Sequence, residues 1–124
     1  SFAAIVFIAL SGCTSLPGDG GTSTITGKIY TELYNASGTL YQEYYSPDEK
    51  VYIIYGDNIA YDDEVSTAYD GTYKFEYLRK GTYTIYVYSD CLLCPGGTEA
   101  KIVEIEITDN NSVVELADII IEKR

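Results

Sequence analysis

Between Thr24 and Glu122, segment after segment sets apolar residues at every second position, and no segment carries a convincing helical period. Side chains alternate across a strand, so a period of two gives each segment one apolar and one polar face. The segment Thr82–Ser89 is the cleanest case. It sets Tyr83, Ile85 and Val87 against Thr84, Tyr86 and Tyr88. Lys101–Thr108 sets Val103, Ile105 and Ile107 against Glu104 and Glu106. Thr24–Leu33 sets Ile25, Gly27, Ile29, Thr31 and Leu33 against Thr26, Lys28, Tyr30 and Glu32. A chain written this way must bury one face of each strand, and it folds by stacking sheets.

Shorter segments complete the set. Val51–Tyr55, Val65–Ala68, Thr72–Tyr77 and Val113–Glu122 read as strands, with Tyr73, Phe75 and Tyr77 on one side of the third. Tyr34–Lys50 reads as a long connection holding a short edge strand at Leu40–Tyr45. Turn signals punctuate the run: Gly56-Asp57-Asn58, Asp70-Gly71, Lys80-Gly81 and Asp109-Asn110-Asn111. About seven short strands separated by turns predict an all-β fold, an antiparallel Greek-key sandwich.

Composition narrows the chemistry. Nineteen acidic and 8 basic residues leave a net charge of −11, which argues against nucleic acid as a partner. With no histidine, Ser-His and Cys-His catalysis and the commonest zinc sites drop out. Tyrosine is the excess residue, with 14 copies against 3 phenylalanines.

The N-terminus reads differently. Phe2–Leu10 is an uncharged apolar run, too short to cross a bilayer but sized for the core of a secretory signal. It leads into Leu10-Ser11-Gly12-Cys13, which resembles the bacterial lipobox. The resemblance implies a signal peptide at 1–12, cleavage before Cys13, and lipid on that cysteine as a membrane anchor. Neither an initiating Met nor a basic segment precedes the run, so the start of the chain is expected upstream of Ser1. Residues 13–23 then read as the lipidated cysteine and a flexible tether of Gly, Ser and Thr, with the folded domain at 24–124. The expected location is the bacterial cell envelope, at the outer membrane, on its periplasmic or surface face.

Asp70-Gly71-Thr72-Tyr73-Lys74-Phe75-Glu76-Tyr77-Leu78-Arg79-Lys80-Gly81-Thr82-Tyr83 resembles the signature D-G-x-[YF]-x-F-x-x-L-x-x-G-x-Y of the carboxypeptidase regulatory-like domain. Ile25-Thr26-Gly27-Lys28-Ile29 resembles the opening strand of that family, and Pro47–Val51 its entry to the second. The stretch Tyr34–Ser46 is longer than the family's usual turn. The resemblance covers residues 24–122 and implies a transthyretin-like sandwich. It also implies that the motif is structural: Asp70-Gly71 turns, Tyr73 and Phe75 enter the core, and Leu78 plugs one end. Gly81 lets the chain bend so that Tyr83 points inward, where its hydroxyl needs a partner. None of these residues is catalytic, so the expectation is a non-catalytic accessory module rather than an enzyme.

Four candidate sites stand out. Cys91 and Cys94 pair most simply as a local disulfide in an oxidising compartment. A thioredoxin-like couple would need a helix after the first cysteine, and Pro95-Gly96-Gly97 follows instead. Asp57, Asp62, Asp63, Glu64 and Asp70 form an acidic group that could hold calcium, against the plainer reading of a solvated acidic rim and no cofactor. Outward Tyr30, Tyr86 and Tyr88 could form an aromatic stripe for stacking on sugar rings or anchoring a protein. A Lys28–Asn110 or Lys28–Asn111 isopeptide bond, as in related adhesin modules, is disfavoured by the outward position of Lys28.

The leading reading is a lipid-anchored envelope protein whose sandwich is a structural or protein-interaction module. The alternatives are a glycan-binding module using the outward tyrosines, or a fibre or pilus-type subunit. The partner is an envelope protein or a glycan.

Overall fold

In the computed structural model, which describes residues 16–124, nine strands build two facing sheets. They are β1 (Asp19–Tyr34), β2 (Leu40–Tyr45), β3 (Lys50–Tyr55), β4 (Asp63–Ser66), β5 (Thr72–Leu78), β6 (Gly81–Asp90), β7 (Thr98–Ile107), β8 (Val113–Glu115) and β9 (Ile119–Lys123). The all-β sandwich expected from the alternation is what forms. The signal segment, Cys13 and the first residues of the tether lie outside the described residues.

β1 organises the first sheet because it is long enough to serve four neighbours in turn. Its first half pairs antiparallel with β5, and its second half with β2. The handover falls at Ile29, whose N–H donates to the Gly71 carbonyl while its own carbonyl accepts from the Ser46 N–H, both at 2.9 Å. Along the other edge of β1 run β8 and then β9. The second sheet is antiparallel, in the order β4-β3-β6-β7. Alternation delivers Ile25, Ile29, Val51, Ile53, Tyr73, Phe75, Tyr83, Ile85, Val87, Ile107 and Ile121 into one shared core between the sheets.

Three expectations change. The last segment is not one antiparallel strand. It breaks at Leu116–Asp118, and both pieces pair parallel with β1. The inward positions explain the break. Val114 and Leu116 pack against the core on one parity, Ile119 and Ile121 on the other, so the alternation slips by one across Ala117-Asp118. A slip of one residue reverses a strand's faces unless the pairing is interrupted.

Tyr77 does not join Tyr73 and Phe75. It takes a left-handed φ of 61°, points into solvent, and lets Leu78 follow Phe75 into the core. The neighbouring β1 register shifts at the same place, where Gly21 lies directly on the Leu78 carbonyl.

Ordered structure also begins earlier than the Gly- and Ser-rich composition implies. β1 opens at Asp19 and Gly18 is buried, so residues 18–23 belong to the domain rather than to a tether. Hydrogen bonds to backbone carbonyls hold this arm: the Arg79 N–H donates to the Gly18 carbonyl at 2.8 Å, and the Ser23 hydroxyl donates to the Asp109 carbonyl at 3.1 Å. Such bonds need no apolar side chain, which is why composition concealed them.

Candidate binding face

The outward positions of β3 and β6 carry the most unusual surface of the molecule. Tyr52 and Tyr86 are register partners, and their rings stack at 5.0 Å between centroids with planes 18° apart. Tyr88, two residues further along β6, meets Tyr52 edge-on at 5.8 Å and Tyr86 at 5.6 Å. Tyr61 comes from the loop between β3 and β4 and lies over Tyr52 at 4.9 Å. Aromatic pairs at such separations stabilise one another beyond simple burial. Partial burial raises the Tyr52 and Tyr86 phenols above their ordinary pKa. At neutral pH both are therefore protonated and able to donate hydrogen bonds. Tyr61 and Tyr88 are 48% and 50% exposed, and Ile102 of β7, opposite Tyr86, is exposed beside them. The Lys50–Glu64 ion pair, at 3.1 Å, bounds the cluster on the β4 side.

Asp62 positions Tyr61. Its carboxylate accepts the Tyr55 N–H at 2.7 Å and the Asn58 side-chain amide at 3.0 Å, while its own N–H donates to the Ile53 carbonyl at 2.8 Å. The loop is thereby stapled to the end of β3, and the residue before Asp62 is set down on Tyr52.

The five acidic residues do not converge into a cation site. Asp62 is occupied as just described, Asp63 accepts the Glu64 N–H at 2.8 Å, and Glu64 pairs with Lys50. Asp70 accepts the Thr72 N–H at 3.1 Å across its turn, and hydrogen bonding from Thr72 lowers its pKa. Asp57 stays in the loop with no partner in common with the others. Among the described residues the group of metal-capable side chains that does converge is Cys91, Cys94 and Glu99. Its two sulfurs are joined to each other in a disulfide. The disulfide closes a tight turn in which the Cys91 N–H donates to the Gly97 carbonyl at 2.8 Å. A single 3₁₀ turn, Pro95–Gly97, follows it.

Tyr30 is separated from Tyr86 and Tyr88. It lies on β1 in the other sheet, edge-on to Tyr45 at 5.1 Å, with its hydroxyl donating to Glu43 at 3.3 Å. Lys28 lies 4.9 Å from the centre of the Tyr45 ring, while the Asn111 backbone N–H donates to Thr22, so the isopeptide reading has no geometry behind it. Tyr52 and Tyr61 were missing from the sequence-derived stripe. The alternation of Val51–Tyr55 places Tyr52 outward, which was the available signal; Tyr61, in a loop, gave none.

No protein-family model and no curated protein sequence matches the chain. Among solved structures, a candidate carbohydrate binding protein from Pseudomonas aeruginosa is similar over 95% of this chain and 98% of its own, at 14% identity and a TM-score of 0.48.

Proposed function

We propose that the protein is a non-catalytic binding module that holds a neutral glycan against the tyrosine face. One observation carries this reading: four tyrosines from three separate segments gather on a solvent-facing sheet surface whose opposite side already lines a filled core. Packing within the domain does not call for half-exposed Tyr61 and Tyr88. Phenol rings offer apolar surface to the C–H side of a sugar, and their hydroxyls can exchange hydrogen bonds with its own. The net charge of −11 disfavours acidic polysaccharides, which leaves neutral or amine-bearing ones.

A protein-interaction reading has one feature of its own. Leu92 and Leu93 are exposed, Leu93 almost fully, at the tip held by Cys91 and Cys94. A rigid exposed apolar pair is the sort of anchor that buries in a partner's pocket.

The test is a glycan array of neutral oligosaccharides, followed by titration of the best ligand. Tyr88→Ala should weaken binding about tenfold or more with the fold intact, since truncating a central aromatic anchor of a binding surface costs about 2 kcal/mol. Binding unchanged in both Tyr88→Ala and Tyr61→Ala would reject the face, and an array with no ligand would move the Leu92–Leu93 tip to the front.

The proposal includes a lipid anchor at Cys13, supported by the Leu10-Ser11-Gly12-Cys13 motif after an apolar run. Intact mass of the protein made from the full gene in a bacterial host tests it.

A further inference from the structure

Cys13 is separated from Leu16 by three residue steps, and three steps of chain span at most about 11 Å whatever their conformation. From Pro17 onward the chain is fixed to one end of the sandwich. Pro17 packs against Gly56 and Gly81, where an added Cβ would meet its ring carbons at 3.0 and 2.8 Å. The Gly18 N–H donates to the Tyr83 hydroxyl at 2.8 Å. A lipid on Cys13 would therefore hold this end of the domain at the membrane surface.

The same end carries unpartnered apolar side chains. Ile59, in the β3–β4 loop next to the Leu16 groove, is 100% exposed, with Leu16 at 61% and Tyr77 at 69%. Arg79 and Lys80 stand beside them in the β5–β6 turn. Asp19, Asp57 and Asp109 belong to this end too, so charge alone does not draw it to a membrane. Apolar contact has to do so. Aromatic, aliphatic and basic side chains together suit the headgroup boundary, where rings and long stems settle with their polar ends in water. The other exposed apolar tip, Leu92 and Leu93, follows the far end of β6. Ten residues of strand, about 30 Å, separate it from this end.

We propose that the Leu16 end of the sandwich seats directly on the bilayer, with Ile59 entering the interface. The strands then stand away from the membrane, the tyrosine face is open at the side, and the Cys91–Cys94 tip points outward. This inference rests on the lipid anchor at Cys13.

The absence of tryptophan permits a clean test. Single-tryptophan variants Ile59→Trp and Leu93→Trp are made in the full chain, recovered from the bacterial envelope, and weighed intact. Each is then placed in vesicles of phosphatidylcholine and phosphatidylethanolamine with brominated acyl chains. Ile59→Trp should lose most of its emission and shift to the blue, while Leu93→Trp should keep the spectrum it has in detergent-free buffer. Leu16→Trp is a second reporter and should follow Ile59→Trp. Unquenched emission from both reporters in protein whose mass includes the lipid would overturn the seating and leave the anchor standing. A mass without lipid would overturn the anchor, and the seating with it.

Discussion

Two tyrosines lie in the same core and are treated in opposite ways. Tyr83, on β6, sends its hydroxyl to the end of the sandwich, where it accepts the Gly18 N–H at 2.8 Å and donates to the Arg79 carbonyl at 2.6 Å. It ties together the N-terminal arm, the β5–β6 turn and the second sheet. Tyr73, on β5, is equally buried, but its hydroxyl has no hydrogen-bond partner among the described residues. It lies under Gly27, where an added Cβ would come within 2.5 Å of it. The first tyrosine is there for its oxygen. The second fills volume, and the missing side chain at Gly27 makes room for its hydroxyl. A buried hydroxyl without a partner costs free energy that a phenylalanine would not.

The sharpest way to break the Tyr83 corner is at Gly81. Its φ of 143° is a conformation that L side chains rarely adopt, and a Cβ there would sit 2.8 Å from that of Pro17. Gly81→Val combines backbone strain with a clash against the arm. It should cost about 3 kcal/mol or more, read as a large fall in thermal midpoint. A midpoint within a couple of degrees of wild type would mean that the arm yields freely.

Tyr83→Phe keeps the ring and removes only the oxygen, so it isolates the hydrogen bonds. The buried Gly18 N–H is left without its acceptor, and the loss should be about 1–3 kcal/mol in denaturant unfolding. The arm should also become accessible to protease near Gly18. An unchanged stability would show that water replaces the hydroxyl at no cost.

Tyr73→Phe should have the smallest effect at neutral pH, and of the opposite sign: stability unchanged or raised by up to about 1 kcal/mol. Its signature is at alkaline pH. Burial pushes the Tyr73 phenol from 10.0 up to about 12. In the unfolded chain it ionises near pH 10, so the native state keeps a proton that the unfolded state gives up. The stability linked to that proton is fully present below pH 10 and is lost as pH rises from 10 to 12. Thermal midpoints at pH 7 and pH 11 should diverge less in Tyr73→Phe than in wild type. An equal divergence would assign the alkaline loss to other groups, such as Tyr83.

How much of this was readable beforehand differs by element. The Asp70–Tyr83 segment announced both turns and the inward course of Tyr83, because each depends on a few consecutive residues. Tyr52 belonged to the face on alternation alone and was overlooked. The break at Ala117-Asp118 is written in the parity change from Leu116 to Ile119, which a reading of 113–122 as one strand passes over. Tyr77 defeated the pattern, since nothing in its type foretells a positive φ. The acidic residues left calcium and a solvated rim both open in sequence, because carboxylates beside Asn58, Tyr55 and Thr72 serve as turn staples as readily as cation ligands.

The sequence by itself determined that the chain makes strands, which side of most strands is buried, and where most of them turn. Those are local properties: alternation follows from the geometry of an extended backbone, and a turn from the few residues within it. Only the tertiary structure decided that β8 and β9 run parallel to β1, that the Gly-rich arm is ordered, and that Tyr61 lies over Tyr52. Each of these depends on which sheet edges and backbone groups were left unpaired by segments far away in the chain. A residue's own neighbours in sequence carry no record of that competition.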